Sequence, residues 1–270
     1  MMLPWLALLL APSAALLSDY KALITQVTTP NKPRVTKNVD VILSSGFCCF
    51  SSHAGFLDAL EASPWRVPSA MVGTSSGSLA ASIYLASGCS ADAVAAELSA
   101  SAPLRSCRPS RTPWRGVLST RALEKRLARV LPPTFEDLPA PLAVGVFDAR
   151  NGAPRLVSSG DLVKAVAASC AVPRLFSPVK LADGRFLDGG KKDRTALAAY
   201  RAWRPDRDHV VHLVKAAGAP LEPRDGVDAE DRVVRTPRAA AQLWSLGDFA
   251  GERTTAMALA TERLQYMYMH

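Results

Sequence analysis

Short apolar runs alternate with stretches of helical periodicity along most of this chain. Val39-Asp40-Val41-Ile42-Leu43 is β-branched and apolar on both faces, which predicts a buried parallel strand. From His53 to Glu61 the apolar residues Phe56, Leu57 and Leu60 share one helical face. Val67 to Val72 predicts a second strand and Ser78 to Ser87 a second helix, with Gly88 placed to cap it. Ala91 to Ala100 predicts another helix. The helical spacing of Leu123, Leu127, Val130 and Leu131 predicts one more, with Thr120 as N-cap. Leu142 to Phe147 reads as a strand ending at Asp148, and Asp161 opens a helix that runs to Ser169. Lys180-Leu181-Ala182 and Arg185-Phe186-Leu187 flank Asp183-Gly184, which predicts a hairpin turning on those two residues. His209 to Val214 is a late strand, and Ala239 to about Met267 is mostly helical. Strands alternating with helices predict an α/β fold, a mostly parallel central sheet with helices on both faces. No internal repeat is present.

Composition narrows this picture. A chain of 270 residues can bury a full core in one domain, and 49% hydrophobic with 21% charged residues excludes a disordered chain. Leu3 to Leu17 is almost wholly apolar but too short to span a bilayer comfortably, and Pro12 interrupts it. A stretch with Lys21, Lys32, Arg34 and Lys37 follows, holding a single acid, Asp19, before Asp40. Residues 1–37 therefore read as a signal-like or targeting segment outside the fold, resembling a bipartite presequence, although no Lys or Arg precedes the apolar run. That implies a secretory or organellar (plastid included) destination for a protein peripheral to membranes. An apolar N-terminus without a targeting role is the alternative. Residues 38–205 are expected to form the main domain, with 206–270 adding a late strand and C-terminal helices to it.

The net charge of +8 favours an anionic partner, a lipid surface or a nucleic acid. No nucleic-acid module accompanies the charge. Arg105, Arg108, Arg111 and Arg115 are interleaved with Pro109, Pro113 and Trp114, which predicts an exposed loop. That loop either holds anionic headgroups, with Trp114 in the interface, or is simply solvated. The five cysteines, Cys48, Cys49, Cys89, Cys107 and Cys170, form no C-x-x-C pair, so buried free thiols are expected. With only four histidines, a zinc site has no support, and no metal or organic cofactor is implied.

Three segments can supply nucleophilic chemistry. Gly73-Thr74-Ser75-Ser76-Gly77 is a G-x-S-x-G sequence between a strand and a helix, where a sharp turn pushes the Ser75 hydroxyl out of the sheet. The following helix N-terminus offers the Ser76 N–H to an oxyanion. Ser44 to Phe50 runs from the first strand toward the first helix and can present backbone amides at the sheet's C-terminal edge, where open α/β sheets bind ligands. Asp188-Gly189-Gly190 places a carboxylate before two glycines that let the chain turn tightly.

These blocks resemble the patatin-like phospholipases, serine acyl hydrolases with a Ser-Asp dyad. Leu43 to Gly55 is similar to the family's glycine-rich oxyanion block, G-G-G-x-R-G followed by a helix, and Gly73 to Gly77 to its nucleophile elbow. Ser169-Cys170-Ala171-Val172-Pro173-Arg174-Leu175-Phe176 resembles its A-S-x-A-x-P-x-x-F segment. Asp188-Gly189-Gly190 resembles its D-G-[AG] motif, and Thr134 to Leu138 a further landmark. The resemblance spans roughly residues 39–200. It implies a three-layer sandwich, Ser75 as nucleophile, Asp188 as its base, and Gly46, Phe47 and Ser76 as oxyanion-hole residues. The implied substrate is a carboxylic ester of a glycerolipid at a membrane or micelle surface.

The glycine-rich block departs from the family. Ser45 replaces the first Gly, Phe47 the third, Cys49 the Arg and Phe50 the last Gly, leaving Gly46. The donors are backbone groups, so they survive, but Phe and Ser tolerate positive φ poorly and can misplace them. One lost donor costs about 10²–10³ in turnover. A slow or non-hydrolytic lipid-binding member is therefore one alternative. Farther on, Asp193 fits the family pattern, while Ala196 stands where Pro is usual. A second alternative is a hydrolase triad of Ser75, Asp188 and His209 or His212, which chain order permits. Those histidines lie in an apolar run and are expected to face a helix or solvent, and His53 to pack in the first helix.

Overall fold

A computed structural model of the protein describes residues 39–66, 68–100, 107–238 and 245–269. The segment read as a targeting sequence, Arg105, and the start of the helical tail lie outside the described residues. The main sheet contains β1 (Asp40–Leu43), β2 (Ala70–Thr74), β5 (Leu142–Asp148), β6 (Ala153–Val157), β8 (Val179–Leu181), β9 (Gly184–Asp188), β10 (His209–Val214) and β11 (Val233–Thr236). Their order is β11-β10-β1-β2-β5-β9-β8, with β6 also paired to β5. The pairings from β11 through β5 are parallel, and those of β6, β8 and β9 are antiparallel. A second sheet joins β3 (Arg108–Pro109), β4 (Gly116–Ser119) and β7 (Arg174–Phe176).

Alternate residues of the buried strands enter two separate cores, as the two-residue pleat requires. Val41, Leu43 and Met71 pack with α1 (Phe50–Glu61), α2 (Ser76–Ala86), α3 (Ala91–Ser99) and α5 (Leu162–Ser169). Ile42, Val72 and Val211 point the other way, toward Leu197 and Tyr200 of α6 (Leu197–Trp203). The described helices thus lie on both faces of the sheet, and α7 (Phe249–Met269) also contributes Ala260 and Leu264 to the larger core. Contact between α1 and α7 is close because Gly55 lacks a side chain; a Cβ there would fall 2.2 Å from the Arg253 carbonyl.

Several predicted boundaries move. The second strand runs through Gly73 and Thr74, so α2 begins directly after Ser75. The tight hairpin pairs Leu181 with Gly184, so Ala182 and Asp183 make the turn and Gly184 belongs to the strand. The basic loop is in part a hairpin: β3 pairs antiparallel with β4, with Arg111 and Trp114 exposed between them. Thr120 sits at the N-cap of α4 (Arg121–Leu127) without capping it. Its hydroxyl is instead 2.6 Å from Glu124 Oε1, which takes it out of reach of the helix amides. Asp161 does cap α5, accepting the Lys164 N–H at 2.9 Å. The last helix runs from Phe249 to Met269, and Ser245 to Asp248 just before it are not helical.

Candidate active site

The register of one strand brings the two motifs together. β5 pairs with β2 through Leu142 to Gly145 and with β9 through Val146 to Asp148. Thr74 is therefore opposite Gly145 while Asp188 is opposite Val146, at adjacent positions of the same strand. Ser75 follows Thr74 at the turn into α2. Its backbone is at φ 54°, ψ −120°, a conformation that costs a non-glycine residue about 1–3 kcal/mol. The Ser75 carbonyl accepts from Ser78 N–H at 2.9 Å and Leu79 N–H at 3.2 Å. The Ser75 N–H donates to Ser169 Oγ at 2.8 Å, and that hydroxyl donates in turn to the Gly145 carbonyl at 2.7 Å. Ser169 thus anchors the strained turn to the neighbouring strand.

The elbow glycines have steric causes. A Cβ on Gly77 would lie 2.3 Å from the Leu43 carbonyl oxygen, and one on Gly73 would lie 2.5 Å from that of Gly77. Thr74 uses the same economy across the sheet, since a Cβ on Gly145 would meet its hydroxyl at 2.3 Å.

Asp188 is buried, and the Ser75 hydroxyl is near enough to its carboxylate to favour the ionised form. Burial raises its pKa to about 6, against the opposing hydrogen bonds from Ser75 and from the Gly190 N–H. The Gly190 N–H reaches Asp188 Oδ1 at 2.8 Å, and the Asp188 N–H is held by the Ala171 carbonyl. The Ala171 contact explains why the segment after Ser169 belongs with the site. Gly189 packs on Gly145, and Gly190 on Ser45: a Cβ at Gly190 would sit 2.4 Å from the Ser45 Cβ and Oγ.

The loop from Ser44 to Cys49 holds together differently from its sequence-based expectation. Ser45 and Phe47 keep ordinary backbone angles, and the positive φ, 54°, falls on Cys48. The Gly46 N–H is turned inward and donates to Ser76 Oγ at 3.0 Å, so it is not a free oxyanion donor. Among the described residues the N–H groups of Phe47, Cys48 and Ser76 have no partner, and all three residues line the pocket at Ser75. Successive amides around a left-handed residue form an anion-binding concavity. Cys48 is thus a site residue that sequence reasoning missed, because its placement depends on φ rather than on side-chain type. Its thiol, raised by burial to about 12, stays protonated.

Two further residues hold this loop from behind. Arg194 Nη2 donates to the carbonyls of Ser45 (2.9 Å) and Val214 (2.8 Å), while Nη1 pairs with buried Asp225. His53 Nε2 lies 3.1 Å from Ser76 Oγ, and its Nδ1 lies 3.0 Å from Nδ1 of His212, whose Nε2 meets Thr236 Oγ1 at 2.8 Å. Both rings are fully buried, and burial holds their pKa values low, His53 at about 3. His212 also stacks on Phe56. His209 is bound to Asp231 and the Arg207 carbonyl. Both candidate triad histidines are therefore engaged away from Ser75 and Asp188, and the triad does not form. Asp193 accepts from the Thr195 and Ala196 N–H groups, and Ala196 adopts φ 56°, which a proline ring forbids.

A cavity of about 940 Å³ opens beside Ser75. Phe47, Phe50, Leu79, Ile83 and Leu127 give it apolar walls, and Arg108 and Arg111 reach it from the hairpin. Arg115 is exposed outside it. Among the described residues none of the five cysteines is in a disulfide, and Cys48 and Cys49 are buried and the others partly so. Among the described residues, no group of three or more His, Cys, Asp or Glu could hold a metal ion, and no helix is long and apolar enough to cross a membrane.

A family model described as Patatin-like phospholipase matches residues 41–199. Among solved structures, VipD from Legionella pneumophila is similar at 13% identity and a TM-score of 0.50, over 91% of this chain and 72% of that one. The type III effector protein ExoU is 16% identical with a TM-score of 0.47, over 86% of this chain and 54% of its own. At such identity the likeness to VipD concerns the fold alone. No curated protein matches the sequence.

Proposed function

The chain belongs to the patatin-like phospholipase family, and from that premise we propose that it is a lipid acyl hydrolase acting through Ser75 and Asp188. The observation that carries this reading is a strained Ser75 beside a buried carboxylate whose pKa is raised to about 6, with Thr74, one residue before Ser75, and Asp188 opposite adjacent positions of β5. An ordinary aspartate near 3.8 is a poor proton acceptor at neutral pH, whereas one near 6 is stronger and still ionised.

In the proposed reaction Asp188 takes the Ser75 proton as Ser75 Oγ attacks the ester carbonyl of a glycerolipid. Charge builds on the carbonyl oxygen, within reach of the amides at Ser76, Phe47 and Cys48. Protonated Asp188 then returns its proton to the departing lysolipid alkoxide, leaving an acyl-Ser75 ester. Water, deprotonated by the same carboxylate, releases the fatty acid and regenerates Ser75. The apolar cavity wall supports an acyl-chain substrate, and no cofactor enters any step.

A fluorophosphonate serine-hydrolase probe tests the proposal. Wild type labels, Ser75→Ala does not, and Asp188→Asn labels far more slowly. The inward-turned Gly46 N–H favours a second reading, a slow or non-hydrolytic lipid-binding protein. Absence of wild-type labelling together with vesicle binding would select it. Delivery to a secretory or organellar compartment through residues 1–37 belongs to the same proposal, and N-terminal sequencing of the mature protein tests it.

A further inference from the structure

The cavity beside Ser75 carries an unbalanced charge along part of its wall. Arg121 and Lys125 lie one turn apart on α4 and share a face, Arg129 follows in the turn just past the helix, and all three are exposed and line the cavity. Arg108 and Arg111 line it from the β3–β4 hairpin. Among the described residues none of these five cations has an ion-pair partner. Among the described lining residues the one acid, Glu97, is already paired with Arg126. Like charges clustered without counter-ions repel one another, and they gather an anion at the mouth of a low-dielectric cleft.

We propose that this α4 and hairpin wall is a headgroup subsite that selects glycerophospholipids of net negative charge over zwitterionic ones. The proposal rests on the acyl-hydrolase reading and deepens it by naming the substrate class. The apolar walls take an acyl chain and the cationic wall takes the phosphate-bearing end, which leaves the ester beside Ser75. Arginine suits this role because its planar fork can donate two hydrogen bonds to a phosphate. A basic residue near an anionic lipid surface is worth roughly fivefold in binding, so several together set a strong preference.

The test compares dioleoyl phosphatidylglycerol with dioleoyl phosphatidylcholine in mixed micelles, with identical acyl chains and ester positions. Wild type is expected to show a kcat/KM ratio of at least about tenfold in favour of the anionic lipid. Arg121→Glu/Lys125→Glu/Arg129→Glu brings that ratio to about one, and Arg108→Glu/Arg111→Glu to an intermediate value. Circular dichroism and thermal melting show that each variant is folded. A wild-type ratio near one overturns the proposal, as does a ratio that neither variant changes. If glycerol 3-phosphate binds with the same charge dependence while micelles show no preference, the occupant is a soluble phosphate and the lipid subsite falls. Should wild type hydrolyse neither lipid and fail to take the fluorophosphonate, the acyl-hydrolase reading has failed separately. Flotation with vesicles of the same two lipids then reads the subsite alone. Loss of phosphatidylglycerol binding in the triple variant supports it, and unchanged binding overturns it.

Discussion

His53 Nε2 lies 3.1 Å from Ser76 Oγ, the same oxygen that accepts the Gly46 N–H at 3.0 Å. Two buried side chains thereby connect the first helix, the loop that precedes it and the elbow. Ser76 Oγ accepts the Gly46 N–H and has a lone pair or its own proton left for His53 Nε2. In one set of neutral tautomers that satisfies every group, His53 donates through Nδ1 to His212 and His212 through Nε2 to Thr236; the other set runs these bonds the opposite way. Both rings are neutral in this chain of bonds, as their low pKa values require.

Removing this ring should damage both stability and turnover. His53→Ala leaves Ser76 Oγ with its Gly46 bond but without its His53 partner, leaves His212 Nδ1 unpartnered, and opens a cavity under the loop. The expected cost is about 2–4 kcal/mol in urea unfolding. At a temperature where the variant is folded, kcat on a short-chain ester should fall at least about tenfold with KM little changed, because the loop amides act on charge developing in the transition state. His53→Gln, which can still bond Ser76, should recover part of the rate. Full activity in the alanine variant would remove any positioning role for His53.

Activity should follow the ionisation of Asp188. The group must be a carboxylate to accept the Ser75 proton, and its pKa is raised to about 6. The kcat/KM for an uncharged ester should therefore rise with pH through a single ionisation near 6 and level off above it. A profile already flat between pH 4 and 6 would exclude Asp188 as the base.

Asp188→Asn should gain stability where it loses activity. The folded-state pKa of about 6 exceeds the ordinary 3.8, so between those values the folded protein holds a proton that the unfolded chain has lost. Stability then declines as pH rises through this window, and the full cost of burying the charge applies above it. The neutral amide avoids that cost. A gain on the order of 1–2 kcal/mol is expected at pH 7.5, with a melting temperature higher by about 2–8 °C, and no gain at pH 4. Equal melting curves at pH 7.5 would show that the carboxylate is solvated rather than buried.

Ser45 and Gly190 should be coupled. A Cβ on Gly190 would fall 2.4 Å from the Ser45 side chain, including its Cβ, which cannot swing aside. Gly190→Ala should destabilise by about 1–3 kcal/mol and slow turnover by displacing the amide that bonds Asp188. Ser45→Gly in the same chain should recover most of both, giving an interaction energy above about 1 kcal/mol in a double-mutant cycle. Additive effects would mean that the two residues do not share this space.

Local patterns marked the buried strands and the elbow. Asp40–Leu43 and His209–Val214 are apolar on both faces because both faces of the strand are covered, and that leaves a direct trace in residue type. Gly73 and Gly77 flag the elbow because a side chain at either position collides with backbone. Short edge strands leave no such trace: β6 contains Pro154 and Arg155 and is largely exposed, so its residues do not alternate by burial. The hairpin turn shifted by one position because pairing of Leu181 with Gly184 is settled by how β9 lies on β5.

The site itself divides along the same line. Ser75, Asp188 and their flanking glycines could be named from motifs, since each motif satisfies a constraint within a few residues. Their meeting depends on adjacent positions of β5, a third segment that carries no chemistry of its own. The positive φ at Cys48, the inward turn of the Gly46 amide, and the chain from Ser76 through His53 and His212 to Thr236 have no local signature. They arise from hydrogen bonds between segments distant in sequence, whose geometry exists only once the helices have closed over the sheet.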